Sequence, residues 1–189
     1  MPSATPAYEL KPNPIRGTFL KPMTTLTFKE TGMQFFYRSI QSPVGKLHAV
    51  CSETALHELV FDQLFDKSRI EFLSRKASPL LDLVETQLNE YFAGKRTEFQ
   101  LPLDPAGTDF QKQAWKALTK IPFGKTYSYA EQAAKLKNPS AVRAVGGANS
   151  ANPICIIVPC HRVIRKDGQI GGYAGGLSTK QFLLKLEQI

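Results

Sequence analysis

Two prolines separated by two residues divide this chain into parts of different character. Pro102 and Pro105 flank Leu103 and Asp104, and neither a helix nor a central strand continues through such a segment, because proline fixes φ and lacks a backbone N–H. The hydrophobic spacing before it is typical of strands followed by a helix, and the spacing after it is mainly helical. The sequence therefore predicts an α+β protein, with one domain at residues 28–104 and another at residues 105–189. Residues 1–27 contain five prolines and no periodicity, which predicts a flexible or irregular tail.

The charge of the chain is divided at the same place. Residues 1–104 carry 12 basic and 12 acidic side chains, whereas residues 105–189 carry 12 basic and 4 acidic ones, so the whole formal charge of +8 belongs to the second part. Such an excess attracts polyanions, of which nucleic acid is the commonest. An ordinary solvated surface gives the same count, and charge alone does not separate the two interpretations.

The chain carries no sequence signal for a membrane or for export. No apolar run approaches the roughly 20 residues of a membrane span, and the first residues lack the basic start and apolar stretch of a secretory signal. We expect an intracellular protein, cytoplasmic and nucleoid-associated in a prokaryote or nuclear in a eukaryote. Its three cysteines, Cys51, Cys155 and Cys160, are too few for a disulfide scaffold, and in a reducing compartment they are thiols.

The first part has the pattern of a small sheet covered by a helix. Ser78 is placed to cap a helix that starts at Pro79, and Gly94 is placed to end it. Strand-like runs of aromatic and branched residues occur at Gln34–Ile40, Lys46–Cys51 and Leu56–Phe61.

The second part contains three short helical patterns, at about residues 110–118, 128–136 and 140–147. Ser128 and Glu131 form a capping box for the second, and Asn138 is expected to cap the third. Two short helices joined by a tight polar turn predict a helix-turn-helix. The last helix carries small side chains and one long cation, Arg143. That composition suits contact with a minor groove or a backbone shape, and tight helix packing is an equally good interpretation.

A cysteine and a histidine stand together after an apolar run. Ile154–Val158 is strand-like, and Cys160, His161 and Arg162 follow Pro159. Because nearby cations and an imidazole favour the nucleophilic thiolate, we expect a depressed pKa for Cys160. Cys155 and Cys51, within apolar runs, are expected to be inert core thiols.

A metal site is the competing interpretation of this segment. Cys155, Cys160 and His161 are all ligand types, but their spacing is not that of a zinc finger. The remaining histidines, His48 and His57, lie in the other predicted domain. We expect neither a metal nor a cofactor.

The segment Pro159–Val163, with Ile156–Val158 before it, resembles the active-site signature of the methylated-DNA–protein-cysteine methyltransferases, also called O6-alkylguanine-DNA alkyltransferases. The resemblance is strong from about Gly107 to the C-terminal end, weaker over 33–104 and absent from the first 27 residues. It implies a ribonuclease H-like N-terminal domain with a small mixed sheet, and a mostly helical C-terminal domain with a winged helix-turn-helix. Further matching segments, in the family's order and spacing, are Phe123–Tyr129, Asn138–Pro139, Arg143–Ala148, Asn152–Pro153, Gly171–Leu177, Lys180–Leu184 and Glu187.

The resemblance implies DNA repair by direct reversal of damage. An alkyl group such as methyl moves from O6-alkylguanine, or from O4-alkylthymine, to Cys160 after the nucleotide is flipped out of the double helix. The thioether product has no easy hydrolytic exit, so the protein acts once. The implied partner is double-stranded DNA, contacted through its minor groove by a monomer, and no membrane takes part.

The resemblance also assigns catalytic roles. His161 is the base and acts through a bridging water, because adjacent residues do not easily face each other directly. Glu187 orients the imidazole and balances its charge, and Asn152 braces the turn that holds Cys160. Without the resemblance, Glu187 is an ordinary C-terminal acid and Asn152 an ordinary turn residue.

The DNA contacts and the base pocket follow from the same resemblance. Arg143 takes the place of the flipped base and Tyr129 rotates the adjacent phosphate. Ala174 stands where some members carry a hydroxyl, so one contact to the base is expected to be missing. The other implied DNA contacts are Ser128, Asn138 and Lys166, and the other pocket residues are Tyr173, Val163, Gly171 and Gly175.

Three other functions fit parts of the sequence. A non-catalytic lesion-binding relative usually lacks the acceptor cysteine, which is present here as Cys160. A helix-turn-helix regulator needs several polar base-reading side chains on its recognition helix, and the helix around Arg143 lacks them. A cysteine peptidase needs a distant histidine as its base, and both candidates lie in the first predicted domain.

Overall fold

The structure is a computed structural model that describes residues 33–187, so the tail predicted at 1–27 lies outside the described residues. Strands and helices follow one another in an order that separates a β-rich first part from a helical second part. They are β1 (Phe36–Ile40), β2 (Leu47–Cys51), β3 (Leu56–Phe61), α1 (Pro79–Phe92), α2 (Asp109–Leu118), β4 (Tyr127–Ser128), α3 (Tyr129–Lys135), α4 (Val142–Ser150), β5 (Val163–Ile164) and α5 (Leu177–Leu186).

The sheet of the first part consists of three antiparallel strands in the order β1-β2-β3. Every residue of β2 is buried, as expected for the central strand of a covered sheet. The sequence predicted a mixed sheet. Its parallel pairs are single bridges between the edge strands and neighbouring segments. One of these joins Leu59 of β3 to Ile154, so the segment before Cys160 lies along the outer edge of β3.

Helix α1 follows its sequence prediction closely. The Ser78 hydroxyl accepts a hydrogen bond from the backbone N–H of Leu81, and Pro79 is the first helical residue. Gly94 takes a φ of +70° just after the helix, a conformation that glycine adopts without steric cost. The buried face, which includes Leu81, Leu88 and Tyr91, packs on β1 and β2.

The predicted helix-turn-helix is formed by α3 and α4. Ser128 and Glu131 make the expected capping box at the start of α3. The prediction for the next helix was wrong at its start: α4 begins at Val142, two residues later, and its N-cap Ala141 provides no side-chain cap. Asn138 instead closes a turn, because its carbonyl accepts from the N–H of Ala141 at 3.0 Å.

The two parts of the chain share one hydrophobic core. Residues of the sheet and α1 belong to the same buried cluster as Trp115, Ile156 and Leu183.

Two buried amides, Gln132 and Asn149, exchange hydrogen bonds of 3.1 and 2.7 Å between α3 and α4. Strand β5 pairs in parallel with β4, and a turn over residues 165–169 follows it as the wing. Within the described residues, no helix is long and apolar enough to cross a membrane.

Candidate active site

The apolar run before Cys160 is a folded loop, so the strand predicted at Ile154–Val158 was wrong. Only Ile154 pairs with the sheet. Ile156 then takes a φ of +69°, which is unusual for a β-branched residue and costs backbone strain. The N–H of Val158 returns to the carbonyl of Ile154 at 3.0 Å. The loop thereby delivers Pro159 and Cys160 to the inside of the molecule.

The Asn152 side chain holds this loop at both ends. Its Oδ1 accepts from the N–H of Ile154 at 3.0 Å, and its Nδ2 donates to the carbonyl of Val158 at 2.7 Å. The same Nδ2 lies 3.2 Å from Cys160 Sγ and donates to it. Asn152 therefore fixes the strained backbone and also provides a hydrogen bond to the sulfur.

Cys160 is the first residue of a 3₁₀ helix at Cys160–Arg162 and is 7% exposed. The expectation of a depressed pKa was wrong: burial raises the pKa of Cys160, and the hydrogen bond from Asn152 and the charge of Lys180 act against that rise. The physical reason is that burial outweighs the charge of Lys180 and that the neighbouring cation does not face the sulfur. Arg162 points to Glu187 instead.

His161 is fully buried and turns its Nε2 to Glu187, whose Oε1 lies 2.8 Å away. Because a carboxylate only accepts hydrogen bonds, Nε2 carries the proton and Nδ1 has the free lone pair. Within residues 33–187, His161 Nδ1 has no hydrogen-bond partner. Burial lowers the pKa of His161, more than Glu187 raises it, so the imidazole is neutral at pH 7 and able to accept a proton at Nδ1.

Glu187 is the centre of a buried polar group. Arg162 donates to both of its oxygens, at 2.8 and 3.0 Å, and Tyr91 Oη donates to Oε1 at 2.8 Å. The backbone N–H of Gly124 donates to Oε2 at 3.4 Å. Burial alone raises the pKa of Glu187, yet the hydrogen bonds from His161 and Arg162 outweigh it and lower the pKa to about 2. The carboxylate is therefore charged at any physiological pH.

Lys180 is a second buried cation, on α5. Its Nζ donates to the carbonyl of Val163 at 2.6 Å and to that of Gly172 at 3.5 Å. Burial lowers its pKa to about 8. Lys180 thus connects β5 to the glycine-rich loop at residues 171–177 and places a positive charge near Cys160. We call Asn152, Cys160, His161, Arg162, Lys180 and Glu187 the acceptor site.

The glycine-rich loop forms a wall beside Cys160. Tyr173 is buried, and within the described part of the chain its hydroxyl has no hydrogen-bond partner. Burial and the neighbouring Cys160 raise the pKa of Tyr173 well above its usual value, so the hydroxyl stays a donor. A Cβ at Gly175 would lie 2.5 Å from the ring of Phe61. The predicted pocket residues Gly171 and Ala174 lie in the same loop and are partly buried.

The predicted DNA contacts lie apart from this buried group. Asn138, Arg143 and Lys166 are exposed, and Arg143 has no hydrogen bond or ion pair within residues 33–187. Ser128 caps α3, as its hydroxyl accepts from Glu131 N–H at 3.1 Å. Tyr129 is the exception, because its hydroxyl approaches Gly171 of the glycine-rich loop. A Cβ at Gly171 would lie 3.5 Å from that hydroxyl.

A surface cavity of about 360 Å³ lies between α2 and the end of α3, and it does not include Cys160. Four lysines line it, namely Lys116, Lys120, Lys135 and Lys137. In the part of the chain that the structure describes, no group of three or more His, Cys, Asp or Glu side chains is arranged to hold a metal ion.

Several residues of the site escaped the sequence analysis. Tyr91 and Phe61 read as ordinary apolar positions of a helix and a strand, and only the fold brings them to Glu187 and Gly175. Lys180 stands in one of the segments that resemble the family, and no role was predicted for it, although a cation inside the apolar pattern of α5 is a usable signal. Arg162 was noted beside Cys160, and its contact with Glu187 was not predicted.

Comparison with known proteins gives consistent matches. A family model described as 6-O-methylguanine DNA methyltransferase, DNA binding domain, matches residues 109–189, and one described as 6-O-methylguanine DNA methyltransferase, ribonuclease-like domain, matches residues 35–105. The chain is 48% identical over 155 residues to the methylated-DNA–protein-cysteine methyltransferase of Methanosarcina barkeri, a match that covers 81% of this chain and 97% of the relative.

Solved structures give the same picture. The crystal structure of the Mycobacterium tuberculosis O6-methylguanine methyltransferase has a TM-score of 0.75 at 46% identity, over 82% of this chain and 93% of that one. A crystal structure of the Mycobacterium tuberculosis OGT in complex with DNA has a TM-score of 0.74 at 46% identity, over 81% of this chain and 92% of that one.

Proposed function

Because the chain belongs to the 6-O-methylguanine DNA methyltransferase family, we propose that Cys160 accepts the alkyl group from O6-alkylguanine, and from O4-alkylthymine, in double-stranded DNA. The protein is a DNA-repair methyltransferase that transfers the group to one of its own cysteines. Among its three cysteines, Cys51 lies in the fully buried strand β2 and Cys155 lies within the apolar run before Pro159. Cys160 alone lies beside a histidine whose free nitrogen is available as a base.

The first step is the activation of Cys160. A water between the sulfur and His161 Nδ1 passes the thiol proton to the imidazole, which becomes positively charged. Glu187 stabilises this charge through Nε2. Because Arg162 already neutralises Glu187, the imidazolium can release the proton again later in the reaction. Asn152 and Lys180 stabilise the thiolate by a hydrogen bond and by charge.

The second step is an in-line displacement at the alkyl carbon. The sulfur–carbon bond forms as the carbon–O6 bond breaks, and the electron pair of that bond stays on the guanine. The base leaves as an anion that accepts a hydrogen bond from the Tyr173 hydroxyl, and the proton that His161 took from Cys160 passes through water to the guanine, so that imidazole and guanine both end neutral. The product is a neutral thioether at Cys160, so each molecule acts once, with no cofactor.

The DNA-facing side of the protein is assigned to α4 and its neighbours. We propose that α4 approaches the minor groove, that Arg143 enters the stack in place of the flipped base, and that Tyr129 displaces the adjacent phosphate. Extrusion costs a few kcal/mol, which the inserted side chain offsets. The remaining contacts are Ser128, Asn138 and Lys166. The chain, with its domains at 28–104 and 105–189, acts as a monomer. It is located in the cytoplasm, in association with the nucleoid, in a prokaryote, or in the nucleus in a eukaryote.

The observation that carries this proposal is the hydrogen-bonded series from Cys160 through Asn152 on one side and from His161 to Glu187 on the other. A stoichiometry experiment tests it. With excess duplex containing O6-methylguanine, repair is expected to stop at one lesion removed per protein molecule. Continued turnover, or binding without removal of the lesion, would contradict the proposal; the second result is the one expected of a lesion-binding relative.

A further inference from the structure

Tyr91 lies in the first part of the chain, but its hydroxyl ends in the acceptor site. It belongs to α1, in the segment matched by the ribonuclease-like domain, whereas Glu187 lies in the segment matched by the DNA-binding domain. Tyr91 is 0% exposed, and its Oη donates to Glu187 Oε1 at 2.8 Å. We propose that Tyr91 is a positioning residue for the alkyl transfer, which holds Glu187 Oε1 at the Nε2–H of His161; this inference rests on the proposed function.

The geometry favours a positioning role over simple packing. Oε1 is the oxygen that accepts from His161, and Tyr91 donates to that same oxygen. Arg162 holds the carboxylate from one side through both oxygens, and the backbone N–H of Gly124 donates to Oε2 alone, so Tyr91 is the donor that acts on Oε1 from another side. The Tyr91 hydroxyl adds a donor from a different element. This donor fixes the direction in which Oε1 faces the N–H of His161.

The surroundings keep the Tyr91 ring in place. Phe92, Phe99 and Phe123 pack around it, with ring centroids 5.4, 5.4 and 6.2 Å from that of Tyr91. Burial, followed by the charge of Glu187, raises the pKa of Tyr91, so the hydroxyl remains protonated and donates at all pH values of interest. An apolar enclosure of this kind also excludes the water that would otherwise compete for Oε1.

The consequence for function is an active part for the N-terminal domain. A domain that carries no acceptor cysteine and no DNA contact of those proposed above still sets the orientation of the base that activates Cys160. Loss of the Tyr91 hydroxyl is expected to slow methyl transfer about tenfold, the effect of one hydrogen bond to a charged group, without changing the affinity for DNA.

The test compares Tyr91→Phe with Tyr37→Phe in the full chain. Tyr37 is a matched control, because its hydroxyl also makes a side-chain hydrogen bond of 2.8 Å, in this case with His48 Nδ1, and its ring packs on a separate buried cluster of Phe35, Val50, Phe65 and Leu73. Two quantities are measured: the single-turnover rate with saturating methylated duplex, and the water exchange of the His161 Nε2–H proton, followed by ¹⁵N-resolved NMR.

The expected result is a transfer rate about tenfold lower and a faster exchange of the His161 proton in Tyr91→Phe, with both quantities at wild-type values in Tyr37→Phe. An unchanged rate in Tyr91→Phe overturns the inference, and so does a slower rate with an unchanged His161 proton. A loss shared equally by both variants assigns Tyr91 to stability alone and also overturns it. If the wild-type protein transfers no methyl group, it is the proposed function that fails, and the proton exchange still reports on the contact.

Discussion

The acceptor site and the residues proposed to contact DNA are built in opposite ways. Every polar side chain of the acceptor site is held by others: Glu187 accepts from Tyr91, His161 and Arg162. By contrast, Asn138, Arg143 and Lys166 are exposed. The proposed chemistry therefore depends on positions fixed when the chain folds, whereas the proposed DNA contacts are side chains that would find their partners only in the complex. Substitutions in the first group should change the reaction or the stability, and substitutions in the second should change DNA binding or base extrusion and leave the chemistry intact.

The largest effect is expected at Cys160. Cys160→Ser should reduce methyl transfer below detection, because a hydroxyl is not ionised at neutral pH, while the affinity for methylated duplex stays within about twofold of wild type. A gel-shift titration and a single-turnover assay measure the two quantities. Cys51→Ala, in the buried strand β2, is the control that keeps transfer. Transfer that survives in Cys160→Ser would remove the distinction between the two regions.

Glu187→Gln should affect stability as well as transfer. The variant leaves Arg162 buried without its counter-charge, and breaking a buried ion pair from one side costs about 3–5 kcal/mol. Chemical denaturation at pH 7 measures the loss in the free energy of unfolding. A variant as stable as wild type would show that the buried group does not hold the fold together.

The same residue gives a pH dependence with a definite sign. Its pKa is lowered from 4.5 to about 2, so the folded state binds this proton less readily than the unfolded chain. The stabilisation from Glu187 is complete above pH 4.5 and is lost as the pH falls toward 2. The stability difference between wild type and Glu187→Gln should therefore shrink across that window, and a constant difference would contradict the assignment.

Arg143→Ala should separate the extrusion of the damaged base from the transfer of its methyl group. Because extrusion costs a few kcal/mol, transfer from duplex DNA should fall about 10- to 100-fold. Transfer from free O6-methylguanine base, which needs no extrusion, should remain close to wild type. Equal losses with both substrates would move Arg143 into the group of structural residues.

The smallest effect is expected at Lys166. Lys166→Ala should weaken DNA binding a few-fold at physiological salt and lower the slope of log affinity against log salt concentration by about one. Transfer at saturating DNA should be unchanged. An unaltered slope would exclude Lys166 from the phosphate contacts.

Local sequence signals predicted most of the helices and strands, because contacts within a few residues determine where those elements begin and end. Ser78 with Pro79, and Ser128 with Glu131, determine helix starts through contacts within one turn. The start of the helix after Asn138 was predicted two residues too early, because the Asn138 carbonyl closes a turn with the N–H of Ala141 before the helix begins. The strand predicted before Cys160 failed because Asn152 captures the backbone of that run, an effect that no periodicity reveals.

The acceptor site was predicted in part. The neighbouring Cys160 and His161 were visible in sequence, and the resemblance to a family supplied Glu187 and Asn152. The pKa of Cys160 was predicted in the wrong direction, because burial of the thiol outweighs the positive charge near it. Arg162 turns to Glu187, and the charge that acts on the sulfur comes from the buried Lys180 of α5. Tyr91, 96 residues away from Glu187, is brought to the site only by the packing of α1 against the second part.

Mass analysis of the protein after incubation with a duplex containing O6-methylguanine tests the central claim most directly. We expect one added methyl group per molecule, located by peptide fragmentation on the sulfur of Cys160, with Cys51 and Cys155 unmodified. An unchanged mass, or a methyl group on either of the other two cysteines, would contradict the assignment of Cys160 as the acceptor.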